Sequence, residues 1–150
     1  MGHTYCSLLV HVVFSTKERQ RFIHEPLRPR LHAYMGGIAR AEFGRALCIG
    51  GTEDHVHGLL SLNTSVSAAE AMRKWKSLSS GWVHDTFPES AAFAWQEGYG
   101  VFSVSRSNAG QVTRYIENQM QHHKRQTFQE EFIALLERHE IEYDPEKIWL

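Results

Sequence analysis

Apolar positions along the chain fall into a few short stretches, each with its own period. From Tyr5 to Ser15 the residues are dense in Leu, Val and Phe, which predicts a buried strand, and the charged run Thr16-Lys17-Glu18-Arg19-Gln20-Arg21 predicts the turn that ends it. Behind Pro26, the residues Leu27, Leu31, Tyr34, Met35, Ile38 and Phe43 recur at helical spacing as far as Gly44, so the first helix is expected here. Ala46 to Ile49 and His55 to Leu62 read as two strands of a hairpin joined through Gly50-Gly51-Thr52-Glu53-Asp54. Ser65 or Ser67 can cap a second helix carrying Ala68, Ala71, Met72, Trp75, Leu78, Trp82 and Val83 to about Asp85, before Pro88. Residues 86 to 99 lack a period and read as a loop, and Val101 to Ser105 alternates as a short strand.

That order is β-α-β-β-α-β. Right-handed crossovers turn it into an α+β domain of the ferredoxin-like or RRM-like kind, a four-stranded antiparallel sheet with two helices on one face. A third helix is expected from near Asn108, with Gln111 as its capping-box partner, to about Gln126, its stripe being Val112, Ile116 and Met120. A further helix from Phe128 to about His139 and a tail packing back through Trp149 complete the chain. No repeat, linker or low-complexity stretch divides it, so residues 1–150 are read as a single domain.

Composition narrows the class. With 42% hydrophobic and 22% charged residues in 150, the chain can bury a core without disulfides or a structural metal. No apolar run is long enough to span a bilayer and the N-terminus lacks a signal core, so a cytoplasmic protein is expected, with no membrane partner. Cys6 and Cys48 form no CxxC and are expected to be buried thiols. The net charge of −1 conceals a division. Residues 128–150 carry seven acids against Arg138 and Lys147, leaving fourteen Lys plus Arg against ten acids in residues 1–127. The acidic end reads as a solvated helix face, and the remainder permits a polyanion partner.

Two constellations could carry chemistry. In His55-Val56-His57, side chains at i and i+2 of a strand share a face, so two imidazoles project together, as half of a metal site or simply as two strand histidines. On the third helix Tyr115 and Gln119 stand one turn apart, the spacing of a functional pair or of a solvated rim. Were that helix to lie across the open face of the sheet, Gln119 could join the histidines around a metal. Asp54 could orient an imidazole, although an i−1 strand neighbour points to the opposite face from His55, and it is left out of the metal set. Trp75 and Trp82 are expected to pack, and His122-His123 to sit at a solvated helix end, the alternative being an outer-shell or phosphate-facing pair.

Taken together, segments 4–17 (TYCSLLVHVVFSTK), 50–60 (GGTEDHVHGLL), 93–105 (FAWQEGYGVFSVS) and 115–124 (YIENQMQHHK) resemble the single-tyrosine HUH transposases, specifically those of the IS-two-hundred type of insertion sequence. His55-Val56-His57 matches the histidine, hydrophobe, histidine motif, and Tyr115 with Gln119 matches the tyrosine followed four residues later by glutamine. The resemblance implies an enzyme that nicks and rejoins single-stranded DNA marked by hairpins, with Mg²⁺ or Mn²⁺ and through a 5′-phosphotyrosine bond. Tyr115 would be the nucleophile, and His55, His57 and Gln119 the metal ligands. It also implies a homodimer in which the tyrosine helix of one subunit completes the histidine site of the other. Candidate DNA contacts are Lys17, Arg19 and Arg21 after the first strand, Arg73, Lys74 and Lys76 on the second helix, and Arg106 and Arg114 near the tyrosine. Three other readings stay open: a domesticated relative acting on chromosomal palindromic repeats, a non-catalytic RNA- or single-strand-binding module, and a metal-dependent hydrolase that uses water. Against the binding module, the first and fourth strands lack an aromatic RNA-binding pattern.

Overall fold

The computed structural model describes residues 2–149. Four strands, β1 (Leu9–Ser15), β2 (Gly44–Gly51), β3 (His55–Leu62) and β4 (Gly100–Val104), form one antiparallel sheet in the order β2-β3-β1-β4. This is the expected ferredoxin-like order. Alternation along the central strands sorts their side chains. Val12 and Phe14 of β1 and Val56, Leu60 and Leu62 of β3 point to one face, where α1 (Arg28–Glu42) and α2 (Ala68–Thr86) cover them with Leu31, Met35, Met72 and Trp75. Trp75 is fully buried and its indole N–H donates to the Met35 carbonyl, while Trp82 stacks on Tyr34, so both tryptophans pack as expected.

The opposite face is covered by the chain beyond β4. α3 (Ala109–Glu117) lies over β2 and β3, the short α4 (Gln119–His122) comes after it, and α5 (Phe128–Arg138) packs Phe128, Phe132, Leu135 and Leu136 against Val13 and Phe102. Trp149 folds back onto this cluster, as the tail pattern predicted.

Several expectations need correction. Residues 2–8 form no strand, because β1 begins only where β3 and β4 supply partners on both sides. α1 starts at Arg28 with Pro29 in its first turn, two residues later than Pro26 suggested. Of the two candidate caps on α2, Ser67 is used: its hydroxyl accepts from the Glu70 amide. The third helix is not continuous. It starts without a side-chain cap at Asn108 and breaks at Asn118 (φ −97°, ψ 18°), between Tyr115 and Gln119. Cys6 is exposed and Cys48 only half-buried, both free thiols.

Candidate metal and tyrosine site

β3 presents His55 and His57 to the face that α3, α4 and α5 cover, while Val56 enters the main core. Both histidines are fully buried, and so are Gln119 and Glu131, at 1% exposure each. Their polar atoms converge. Gln119 Oε1 lies 2.9 Å from His55 Nε2, and Glu131 Oε1 lies 3.0 Å from Nε2 of both His57 and His123. The Tyr115 hydroxyl donates to the other carboxylate oxygen of Glu131. One ligand atom from each of His55, His57, His123 and Glu131 falls within 4.8 Å of the others.

The sequence-predicted residues His55, His57, Tyr115 and Gln119 are thus brought together. Tyr115 reaches the histidines of its own chain, its ring centroid 5.7 Å from that of His57, so this geometry does not require exchange of the tyrosine helix between subunits. The break at Asn118 serves the arrangement: α3 carries Tyr115 and α4 carries Gln119, whose amide N–H₂ donates back to the Tyr115 carbonyl at 3.3 Å.

Two residues were missed. Glu131, from the segment expected to be a solvated acidic face, is the hub of the cluster, and His123 belongs to the cluster instead of a solvated helix end. A signal existed for each. Glu131 stands three residues after Phe128 and four before Leu135, on the apolar stripe of α5, where an acid is unexpected unless paired. His123 comes four residues after Gln119, one turn along the same face. Asp54 does face an imidazole, and the alternation objection fails because it precedes β3, outside the pleat: its carboxylate accepts from His55 Nδ1 at 2.8 Å, with Thr52 Oγ1 3.0 Å from the same nitrogen.

Burial sets the electrostatics. It depresses the His57 imidazole to about 4, against the Glu131 contacts that pull it upward, and it takes His11, which adjoins His57, to about 3. Burial works against ionisation of Glu131, but the hydrogen bonds from His123 and His57 outweigh it and hold the carboxylate well below its ordinary range. Tyr115 is pushed far above its ordinary value, by burial first and then by the negative charge of Glu131.

The donors fit a divalent cation. In His55, Nδ1 faces the Asp54 carboxylate and Nε2 faces the Gln119 carbonyl oxygen, so a neutral ring leaves one acceptor facing another. A cation bound here would resolve this, and the three imidazoles, carboxylate and amide are the groups that could hold it.

Around the cluster, Arg19 and Arg21 join Lys124 and Arg125 on an open groove of about 840 Å³ that Asp54 and His123 also line. Tyr115 borders a second pocket, of about 360 Å³. Lys17, Arg106 and Arg114 are exposed and line neither. The basic trio of α2 lies on the far side of the sheet with partners of its own. Arg73 and Lys74 pair with Glu70, Lys74 also with Glu42, and Lys76 donates to the carbonyls of Gln96, Glu97 and Gly98.

Residues 4–119 match the family described as transposase, IS200-like. The chain belongs to that family. It is a transposase of the HUH type, a DNA-processing enzyme, and its histidine and glutamate group can hold a divalent metal. Among solved structures, this transposase is similar to a candidate transposase from Deinococcus radiodurans R1, at 24% identity and a TM-score of 0.63 over 79% of this chain and 96% of that one. It also resembles a REP-associated tyrosine transposase bound to a REP hairpin, at 12% identity and a TM-score of 0.54 over 77% of this chain and 68% of that one. At these identities the likeness is one of fold. No curated protein matches the chain. None of the described helices is long and apolar enough to cross a membrane.

Proposed function

We propose that this transposase nicks and rejoins single-stranded DNA at hairpin-marked ends, with Tyr115 as the nucleophile. The observation that carries the reading is the convergence of the Tyr115 hydroxyl, the Glu131 carboxylate, Gln119 Oε1 and the Nε2 atoms of His55 and His57 on one buried locus. A phenol is mostly protonated at neutral pH, and this one more so than usual, so its proton must leave as the bond to phosphorus forms. Glu131 already accepts the hydrogen bond of that proton and stands where it would be taken up. The tyrosine oxygen would then form a 5′-phosphotyrosine bond as the ester bond to the leaving 3′-oxygen breaks, and that oxygen gains the proton. Reversal with a different 3′-hydroxyl rejoins the strand.

His55, His57 and Gln119 would hold the metal, with Glu131 and His123 as further donors; the bound ion would polarise a non-bridging phosphate oxygen. Of Mg²⁺ and Mn²⁺, the nitrogen-rich donor set suits Mn²⁺ better, since Mg²⁺ takes oxygen ligands almost exclusively. Arg19, Arg21, Lys124 and Arg125 line the groove through which a phosphate backbone would reach the site. The hairpin substrate class is supported by the REP hairpin that the REP-associated neighbour binds. We further read residues 1–150 as one domain and the working form as a homodimer.

Labelled single-stranded hairpin oligonucleotides from the gene's flanks, incubated with Mg²⁺ or Mn²⁺, test the proposal. A denaturant-resistant protein–DNA adduct is expected with the wild type and none with Tyr115→Phe. Cleavage that persists in Tyr115→Phe would instead make the protein a hydrolase acting through water.

A further inference from the structure

We propose that His11 is a positioning residue for His57, holding its ring in place while letting either of its nitrogens carry the proton. This rests on the metal reading of the site. A ligating histidine needs its second nitrogen held, or the ring turns and the wrong tautomer competes. For His55 the Asp54 carboxylate does this. His57 has no carboxylate at Nδ1. Its partner there is His11 Nε2, 2.8 Å away, and the two rings stack with centroids 5.0 Å apart.

Strand register explains the pairing. His57 lies opposite Val13 of β1, and His11, two residues before Val13, shares its face on the diagonal. Phe102 of β4, directly across from His11, and Tyr115 of α3 wall the His11 ring at centroid distances of 6.1 and 6.0 Å. His11 is 5% exposed and His57 0%, so water does not compete for this hydrogen bond.

An imidazole suits this place because it can both donate and accept. In the metal-free arrangement His57 Nε2 faces the Glu131 carboxylate and donates to it, so Nδ1 accepts from the His11 Nε2–H. A cation at Nε2 requires that nitrogen to release its proton. The proton of His11 Nε2 would then pass to His57 Nδ1 and His11 Nδ1 would take one up, so that the pair would stay neutral. The hydrogen bond reverses direction with the heavy atoms in place. A carboxylate could only accept, and would hold His57 in one of the two states.

Co²⁺ serves as the probe, titrated into the full chain by calorimetry and by visible absorption, beside melting curves of the metal-free protein. His11→Gln keeps a donor and an acceptor and is expected to retain affinity within a few-fold. His11→Phe keeps the ring but neither nitrogen, and is expected to weaken Co²⁺ binding about 10–100-fold and shift the absorption bands, with little change in the metal-free melt. His11→Met replaces it if His11→Phe does not fold. His32→Phe, a half-buried histidine of α1 away from the site, is expected to bind like the wild type. Wild-type affinity and spectrum in His11→Phe would overturn the proposal, as would a loss that His11→Gln does not rescue. A wild-type protein that takes up no Co²⁺ would instead sink the metal reading itself.

Discussion

Glu131 shows how much a single buried side chain can change the reading of a site. Four imidazoles, those of His55, His57, His122 and His123, and a tyrosine hydroxyl surround it, and its two oxygens divide the hydrogen bonds, one toward His57 and His123 and the other toward Tyr115. Replacing it with Gln keeps the shape and removes the charge. Glu131→Gln is expected to lower both divalent-metal affinity and adduct yield by about tenfold or more. An adduct yield equal to wild type, measured on denaturing gels with flank-derived hairpins, would remove Glu131 from the chemistry. Gln119→Ala is expected to cost less metal affinity than His57→Ala, because a neutral amide oxygen is the weaker ligand, and parallel calorimetric titrations rank the two. At this scale, the pair of motifs was legible because spacing on a strand or helix puts residues on one face. Glu131 was not, and Asp54 only as an open possibility, because their places depend on where α5 and the end of the hairpin turn come to rest, which period alone does not specify.

Between elements, the approach of α3 to the sheet depends on a missing side chain. A Cβ at Gly50 would stand 2.3 Å from the Ile116 carbonyl oxygen, next to Tyr115, so backbone would have to move. Gly50→Ala is therefore expected to lift α3, lowering the melting temperature and reducing adduct yield more than metal binding, since the histidines belong to β3. Comparing the two readouts on one preparation checks this. α5 is fixed differently, by a capping box in which the Thr127 hydroxyl accepts from the Glu130 amide and the Glu130 carboxylate accepts from the Thr127 amide. Thr127→Ala is expected to destabilise the protein by about 1 kcal/mol in urea unfolding. Strands and the first two helices keep closely to their hydrophobic periods. The tyrosine helix does not, because its period continues through Asn118 while the backbone leaves helical geometry there.

Across the whole molecule, buried neutral histidines tie stability to pH. His32 of α1 has a buried Nε2 without a hydrogen-bond partner, and burial, then the Arg28 charge, lowers it to about 4 from an ordinary 6.5. Between those values the unfolded chain binds more protons than the folded one, so stability is intact above pH 6.5 and declines as pH falls toward 4. His32→Leu is expected to flatten that decline in urea unfolding between about pH 7.5 and 4.5; an unchanged slope would exclude His32 as a contributor.

The polar cluster lies between two apolar patches on its face of the sheet, one of Leu9 and Leu59 against Ile116 of α3, the other of Val13 and Phe102 against Phe132 of α5. Neither patch is continuous with the other, whereas α1 and α2 share a single core with the sheet. Amide protons of α3 and α5 should therefore exchange with deuterium as two separate cooperative units, each opening before the sheet does. On this expectation the face that carries the candidate site loosens in halves while the other keeps the fold.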